Sequence, residues 1–199
     1  IILSMLIGSV AALRQDNIKR LFAYSTISNI GYVLVGLVSN VAQGYSASLL
    51  YLLIYTIASL GVFSFIMMLR KENSQVVNLN GLAGFSQPNP LAALCMVMLL
   101  LSMAGIPPFA GFFAKFYIFV SAIESGLLFI AIAGVLFSVV SAFYYLKIIK
   151  IMYMDKNNDE FSFDIDKKMF LMLFLSAVAM LFFIFFANDL IIFINKLNI

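Results

Sequence analysis

Residues 91–123 read LAALCMVMLLLSMAGIPPFAGFFAKFYIFVSAI, 33 consecutive positions with a single charge, Lys115. A continuous helix of that length would measure about 50 Å, against a hydrocarbon thickness of about 30 Å. Average tilts near 20° do not absorb the difference. The run carries its own solution in Gly105-Ile106-Pro107-Pro108, followed by Gly111. Two adjacent prolines remove two amide donors and clash with the preceding turn, which frees carbonyls near Met103 and Ala104. Inside a membrane those carbonyls need protein or water partners. The stretch therefore predicts a helix broken near 105–108, packed in a bundle interior beside a polar cavity. Discontinuous helices of this kind line ion and proton pathways in transporters. The competing reading is a plain proline kink between two ordinary segments.

Lys115 weighs against the kink. Counted from the exit near Glu124 it lies nine residues inside, about 13 Å along a helix axis. A lysine stem does not comfortably cover that distance by snorkelling. Ionisable groups at such depth are rare and usually face a pathway or a partner. No acidic residue lies elsewhere in the run, so either a partner comes from another helix or the amine is partly neutral. Lys115 is the residue expected to transfer protons.

The rest of the chain agrees with a membrane setting. Of its 199 residues, 64% are hydrophobic and 11% charged, with a mean hydropathy of +1.08. Soluble domains carry about 45–50% apolar and about 25% charged residues. That excludes a water-soluble globule, a disordered chain, a nucleic-acid-binding module and a disulfide scaffold. The class expected is all-α, a polytopic transmembrane helix bundle with one proline-broken helix. The spans are a partial one at 1–13, then 21–38, 45–69, 91–123 (broken), 125–146 and 169–187. Strands are disfavoured because the apolar runs are continuous rather than alternating. The opening segment, without a methionine or a basic region before it, reads as a helix cut short and not as a signal peptide. With no histidine and one cysteine, Cys95, no metal-ligand set is expected and the usual neutral-pH proton shuttle is missing.

The basic residues set the topology. Arg14, Lys19 and Arg20, then Arg70 and Lys71, then Lys147, Lys150, Lys156, Lys167 and Lys168 fall on alternate connections. Ten of the twelve thus collect on one face, and only Lys196 marks the other. Such asymmetry assigns the ten to the cytoplasmic side, with the C-terminus facing the periplasm or its equivalent. Lys147 and Lys150 are expected to snorkel to that interface. The acidic segment Asp155 to Asp166 reads as a solvated connection.

Other polar groups could extend a hydrated path. Tyr55, Thr56 and Ser59 sit mid-span in the third helix at helical spacing, Ser102 precedes the break, and Ser25, Ser28 and Asn29 recur in the second helix. Taken singly, each is more often helix–helix glue. Gly31, Gly36 and Gly61 read as close-packing positions.

Two segments carry a resemblance. Residues 12–28, ALRQDNIKRLFAYSTIS, resemble the Q-x-N-I-K-R-L-x-A-Y-S-S-I stretch of the antiporter-like membrane subunits of respiratory complex I, the NADH-quinone oxidoreductase. Residues 102–117, SMAGIPPFAGFFAKFY, resemble the broken twelfth helix of that family. Lysine at 115 followed by Phe-Tyr, and an end soon after the last span, resemble one branch of the family and not those with a glutamate there or a long lateral helix. The resemblance implies that the spans are helices nine to fourteen, the first truncated, of a longer subunit. It also implies one proton channel in a membrane arm, driven by quinone reduction elsewhere. Lys115 would then be the terminal lysine of a central hydrophilic axis, on the half-channel toward the periplasm. A glutamate and two lysines of the family pattern would lie in the other half. NADH, flavin, iron–sulfur clusters and quinone would belong to other subunits, the chain itself binding no cofactor and no metal. Its partners would be the other membrane-arm subunits and the bilayer. Without histidine, this part of the relay would use lysine, hydroxyls and water. The alternatives are a subunit of a multisubunit cation/proton antiporter, and a structural scaffold in which Lys115 only anchors packing.

Overall fold

The computed structural model describes residues 1–71, 74–75, 77–156 and 166–196, with the side chains of 70, 71, 74, 75, 184 and 187–196 left aside. The described residues form seven α-helices in chain order: α1 (Ile2–Leu13), α2 (Ile18–Val38), α3 (Ala42–Met68), α4 (Pro90–Ala104), α5 (Ala110–Glu124), α6 (Leu128–Met154) and α7 (Lys167–Lys196). Arg70–Lys71 and Ser74–Gln75 pair antiparallel as a two-residue ribbon. A 3-10 turn covers Leu79–Leu82. Among the described residues α2, α3 and α6 are each long and apolar enough to cross a membrane. The run 91–123 is two helices of 15 residues each, about 22 Å apiece, so neither spans a bilayer alone.

Two helices run further than their apolar cores. The span expected to stop at 146 continues to Met154, because no glycine or proline intervenes. Lys147 and Lys150 therefore sit in the last turns of α6, paired with Asp16 at 3.4 Å and Asp155 at 3.0 Å. Likewise α7 extends beyond 169–187 at both ends. Of the acidic segment, residues 157–165 lie outside the described residues.

Small residues bring the helices together. A Cβ on Gly31 would stand 2.6 Å from Met5 Cγ, one on Gly61 2.6 Å from a Leu99 methyl, and one on Gly36 would overlap Ser48 Oγ. The α2–α3 hairpin is so close that Ser48 Oγ donates to the Val33 carbonyl at 2.9 Å. α7 lies along α3 and α4, and α1 along α2 and α6.

The basic connections meet at one end of the bundle. The segment after the ribbon crosses that end: Ile18 N–H donates to Val77 O and Leu79 N–H to Asp16 O, at 2.9 and 2.8 Å. Further on, Gly84 and Ser86 N–H donate to Ile151 and Met152 O. Leu79, Leu82 and Phe85 are buried beneath it, with Phe85 edge-on to Phe65. Gln43 on α3 and Glu124 on α5 share a cavity at the opposite end.

Candidate functional site

The break is built from α4 outward. Gly105 takes a left-handed conformation, φ 82° and ψ 40°. Ile106 N–H returns to Leu101 O at 3.0 Å and Gly105 N–H to Ser102 O at 2.9 Å. This double closure ends a helix and suits glycine, which has no Cβ to clash. It accounts for two of the terminal carbonyls and leaves those of Met103 and Ala104 without backbone partners. Pro107 and Pro108, joined by a cis peptide bond, carry the chain to Ala110, where α5 begins. There Ser102 Oγ accepts the Gly111 N–H at 3.0 Å, so a serine of the first half-helix caps the second. The approach is close enough that a Cβ on Gly111 would overlap the Ser102 carbonyl.

One turn into α5, Lys115 points back across the break. Its Nζ donates to Met103 O at 3.0 Å, to Ala104 O at 3.2 Å and to Ser138 Oγ on α6 at 2.9 Å. An ammonium has three protons, and here each has an acceptor. The residue is 4% exposed and its Nζ lies 5.0 Å from the Tyr32 ring centre, within cation–π range. No carboxylate pairs with it among the described residues. The sequence posed two separate problems, freed carbonyls and a buried amine without an acidic partner, and each is the answer to the other.

Around the lysine the structure collects more polar groups than the sequence singled out. Lys115, Ser102, Gly111 and Tyr55 line one small interior pocket with Asn29 and Tyr51. Its volume of about 10 Å³ is the room one water needs. Tyr51 Oη donates to Asn29 Oδ1 at 2.6 Å, and Asn29 Nδ2 donates to Ser25 O at 2.8 Å. Ser25 Oγ and Tyr145 Oη are hydrogen-bonded at 2.6 Å. Tyr55 Oη donates to Thr26 Oγ1 at 2.8 Å. Thr56 lies apart: it is exposed and its hydroxyl donates to Leu52 O, because adjacent helical residues point about 100° apart. Ser59 Oγ is spent on Tyr55 O.

Tyr32, Tyr51, Ser138 and Tyr145 were not among the sequence candidates. A tyrosine in an apolar helix reads as core, and three of these four are also fully packed. The available signal was helical spacing, Ser25, Ser28, Asn29 and Tyr32 on α2 against Gly134, Ser138, Ser141 and Tyr145 on α6.

Lys115 also borders a cleft of about 350 Å³ between α5 and α6, beside Gly105, Phe116 and Ser138. Nearer the end opposite the basic loops, a cavity of about 220 Å³ is lined by Gln43, Ser46, Tyr117, Ser121 and Glu124. The lysine thus borders both the small interior pocket and the cleft between α5 and α6.

Comparison with known proteins gives concordant results. Residues 1–141 match the family described as NADH:quinone oxidoreductase/Mrp antiporter, TM. The chain is 45% identical over 191 residues to NADH-quinone oxidoreductase subunit N of Parvibaculum lavamentivorans, covering 96% of this chain and 40% of that protein. It is 42% identical to subunit N of Pelagibacter ubique, covering 100% of this chain and 42% of that one. Among solved structures, respiratory complex I from Thermus thermophilus with bound aureothin contains a chain that superposes with a TM-score of 0.83 at 29% identity, over 96% of this chain and 43% of that one. A chain of the Mrp complex from Dietzia sp. superposes with a TM-score of 0.87 at 21% identity, over 96% and 44% respectively, which is a likeness of fold. The chain spans about two fifths of the length of the curated relatives it matches.

Proposed function

We propose, from the premise that the chain belongs to the NADH:quinone oxidoreductase/Mrp antiporter transmembrane family, that it forms part of one proton channel in an NADH:quinone oxidoreductase. The observation that carries this reading is the Lys115 ammonium, buried and held by the Met103 and Ala104 carbonyls and Ser138. A hydrogen-bonded cation in the middle of a bundle can give up a proton and take one back without leaving its place. The chain acts as the C-terminal portion of a subunit whose remaining titratable groups come from its other part. Redox chemistry belongs to other subunits, which hold the NADH, flavin, iron–sulfur and quinone sites. The partners are the membrane arm and the lipid around it.

The sidedness follows from charge. The end that gathers Arg14, Lys19, Arg20, Lys147 and Lys150 faces the cytoplasm of a bacterial cell. The cavity at Tyr117, Ser121 and Glu124 faces the periplasm and offers Lys115 its outward route. The last helix then delivers the C-terminus to the periplasmic side.

The test is Lys115→Ala in the intact oxidoreductase, with proton uptake and NADH oxidation measured together in inverted membrane vesicles. The expected result is loss or strong reduction of pumping. Unchanged pumping at normal stoichiometry sinks the reading and favours a scaffold role. The relatives at 42–45% identity are named subunit N of the oxidoreductase, whereas the Mrp likeness is one of fold. Sodium-dependent exchange without NADH would move the chain to the antiporter reading.

A further inference from the structure

Among the described residues, Asp16 and Asp155 pair with Lys147 and Lys150, and Asp166 accepts the Lys168 N–H. Glu124, the last residue of α5, has no such partner there. It stands at the end of the bundle opposite the basic loops, where no lysine or arginine of the described residues lies. Its side chain borders the cavity of about 220 Å³ between the start of α3 and the end of α5. An unneutralised carboxylate thus marks the mouth of an otherwise uncharged space.

A second observation points into the same cavity. Ser46 lines it and is 5% exposed, yet its hydroxyl has no hydrogen-bond partner among the described residues. Further along α3, Thr56, Ser59 and Ser64 each donate to the carbonyl four residues back, an option Ser46 leaves unused. Buried hydroxyls are almost always satisfied, so one left open on a cavity wall marks a place where the contents supply the bond. Ser121, on the facing wall, is 1% exposed. It gives its proton to Ile118 O at 2.9 Å and keeps its lone pairs as acceptors. The Tyr117 ring is set edge-on to Phe116 at 5.9 Å, and its hydroxyl also lacks a partner among the described residues. Ala47, Leu50 and Val120 supply an apolar wall.

A carboxylate with several neutral oxygens selects a cation, and the room selects which kind. Hard metal ions draw six or more oxygens in to roughly 2.0–2.6 Å, a closeness that a half-apolar space of about 220 Å³ does not impose. A primary ammonium carries three donors on a carbon stem that an apolar wall can cover. We infer that this cavity binds a primary ammonium group on a short apolar stem, with Glu124 as counter-ion and the Ser46 and Ser121 hydroxyls as acceptors. The group comes from an aminophospholipid headgroup or from a free amine, since both present the same three N–H donors. The site goes beyond the proposed function and stands whether or not Lys115 moves protons.

The experiment places the intact oxidoreductase in phosphatidylglycerol vesicles containing a small fraction of phosphatidylethanolamine with a photoactivatable tail. A parallel sample carries the phosphatidylcholine counterpart, whose nitrogen has no N–H. The ethanolamine lipid should label the segments around Ser46 and Tyr117 roughly threefold more than the choline lipid, a preference of the size a partly exposed ion pair supports. Glu124→Gln should abolish that preference in complexes shown by size exclusion to be assembled, and Ser46→Ala should reduce it. A second arm follows n-butylammonium binding to the detergent-solubilised complex by saturation-transfer NMR. A lipid preference makes the headgroup the source, whereas Glu124-dependent butylammonium binding without one makes it a free amine. Equal labelling by the two lipids, together with a butylammonium signal unchanged in Glu124→Gln, overturns the site. Displacement of butylammonium by an equal concentration of sodium overturns the ammonium assignment in favour of an alkali ion. If Glu124→Gln fails to assemble, Ser46→Ala decides in both arms.

Discussion

Lys115 Nζ stands 3.0 Å from the carbonyl oxygen of Met103, so a side chain of the second half-helix completes the backbone of the first. Structure and candidate chemistry therefore share one atom. Lys115→Met keeps the stem and removes three donors at once. It should leave two buried carbonyls unsatisfied, at about 1–3 kcal/mol each, and lower the melting temperature of the intact subunit as well as stop pumping. A thermal scan beside a pumping assay checks this. Full stability in the methionine variant would mean that water replaces the ammonium without loss.

Two glycines with positive φ separate backbone strain from crowding. Gly126 has φ 75° with nothing within 4 Å of an added Cβ, whereas Gly105 has φ 82° with Lys115 Cδ 3.0 Å away. Alanine at either place should cost about 1–2 kcal/mol for the left-handed backbone. Only Gly105→Ala should also lower pumping, by displacing the lysine stem. Equal pumping in the two variants would argue that the stem has room to adjust.

Gly111→Ala should be the most damaging of the glycine changes, because its Cβ would overlap backbone, the Ser102 carbonyl, and not the far end of a flexible side chain. Separating the half-helices would also break the Gly111 N–H bond to Ser102 Oγ. The expected outcome is loss of assembled subunit from membranes, read by immunoblot, while Gly126→Ala assembles normally.

The tyrosine–asparagine bond can be weighed by a double-mutant cycle. Tyr51→Phe leaves Asn29 Oδ1 without its 2.6 Å donor and should destabilise by about 1–2 kcal/mol. Asn29→Ala removes the acceptor as well, so the two changes together should cost less than their sum. Additive melting shifts would show that the bond contributes nothing.

At the basic end a contrasting lysine serves as control. Lys147 pairs with Asp16 at 3.4 Å, with the two side chains 36% and 78% exposed, and exposed pairs contribute about 0–1 kcal/mol. Lys147→Ala should leave stability within that range and pumping intact. The same end fixes orientation: a cysteine at Lys150 should react with an impermeant maleimide in inverted vesicles, and one at Glu124 only in right-side-out preparations. The reverse pattern would invert the topology.

Much of the fold was legible because membranes punish ambiguity. A run of 33 residues with a single charge, too long for one span and interrupted at Gly-Ile-Pro-Pro, pointed to two half-helices, and the basic residues sorted the connections. What stayed hidden were relations across distance. The lysine's acceptors lie eleven and twelve residues earlier in its own chain, a geometry set by the turn after Gly105. Thr56 looked like a neighbour of Tyr55 and Ser59, yet one residue of helical rotation takes it out of the pocket. Tyr32 and Tyr51 were not singled out, because packing and polarity cannot be told apart from sequence in a residue that has both. The ends of α6 and α7 ran on because charged residues continue a helix as readily as apolar ones.

The crossing segment after α3 has a mechanical implication. It is joined by backbone hydrogen bonds to the start of α2 and to the end of α6, three stretches far apart in the chain. At that end the helices are riveted, and a relative slide of α2 against α6 would have to break several of those bonds together. Toward the other end α2 is tied to α3 and to α6 by side-chain bonds, Ser48 to Val33 O and Tyr32 to Gly134 O, and the chain turns back at Ser39–Val41 and Ser125–Leu127. Relative sliding of α2 and α6 is thus resisted at the riveted end by main-chain bonds, whereas toward the other end it meets only single side-chain bonds, so the two ends of the bundle differ in how they can yield.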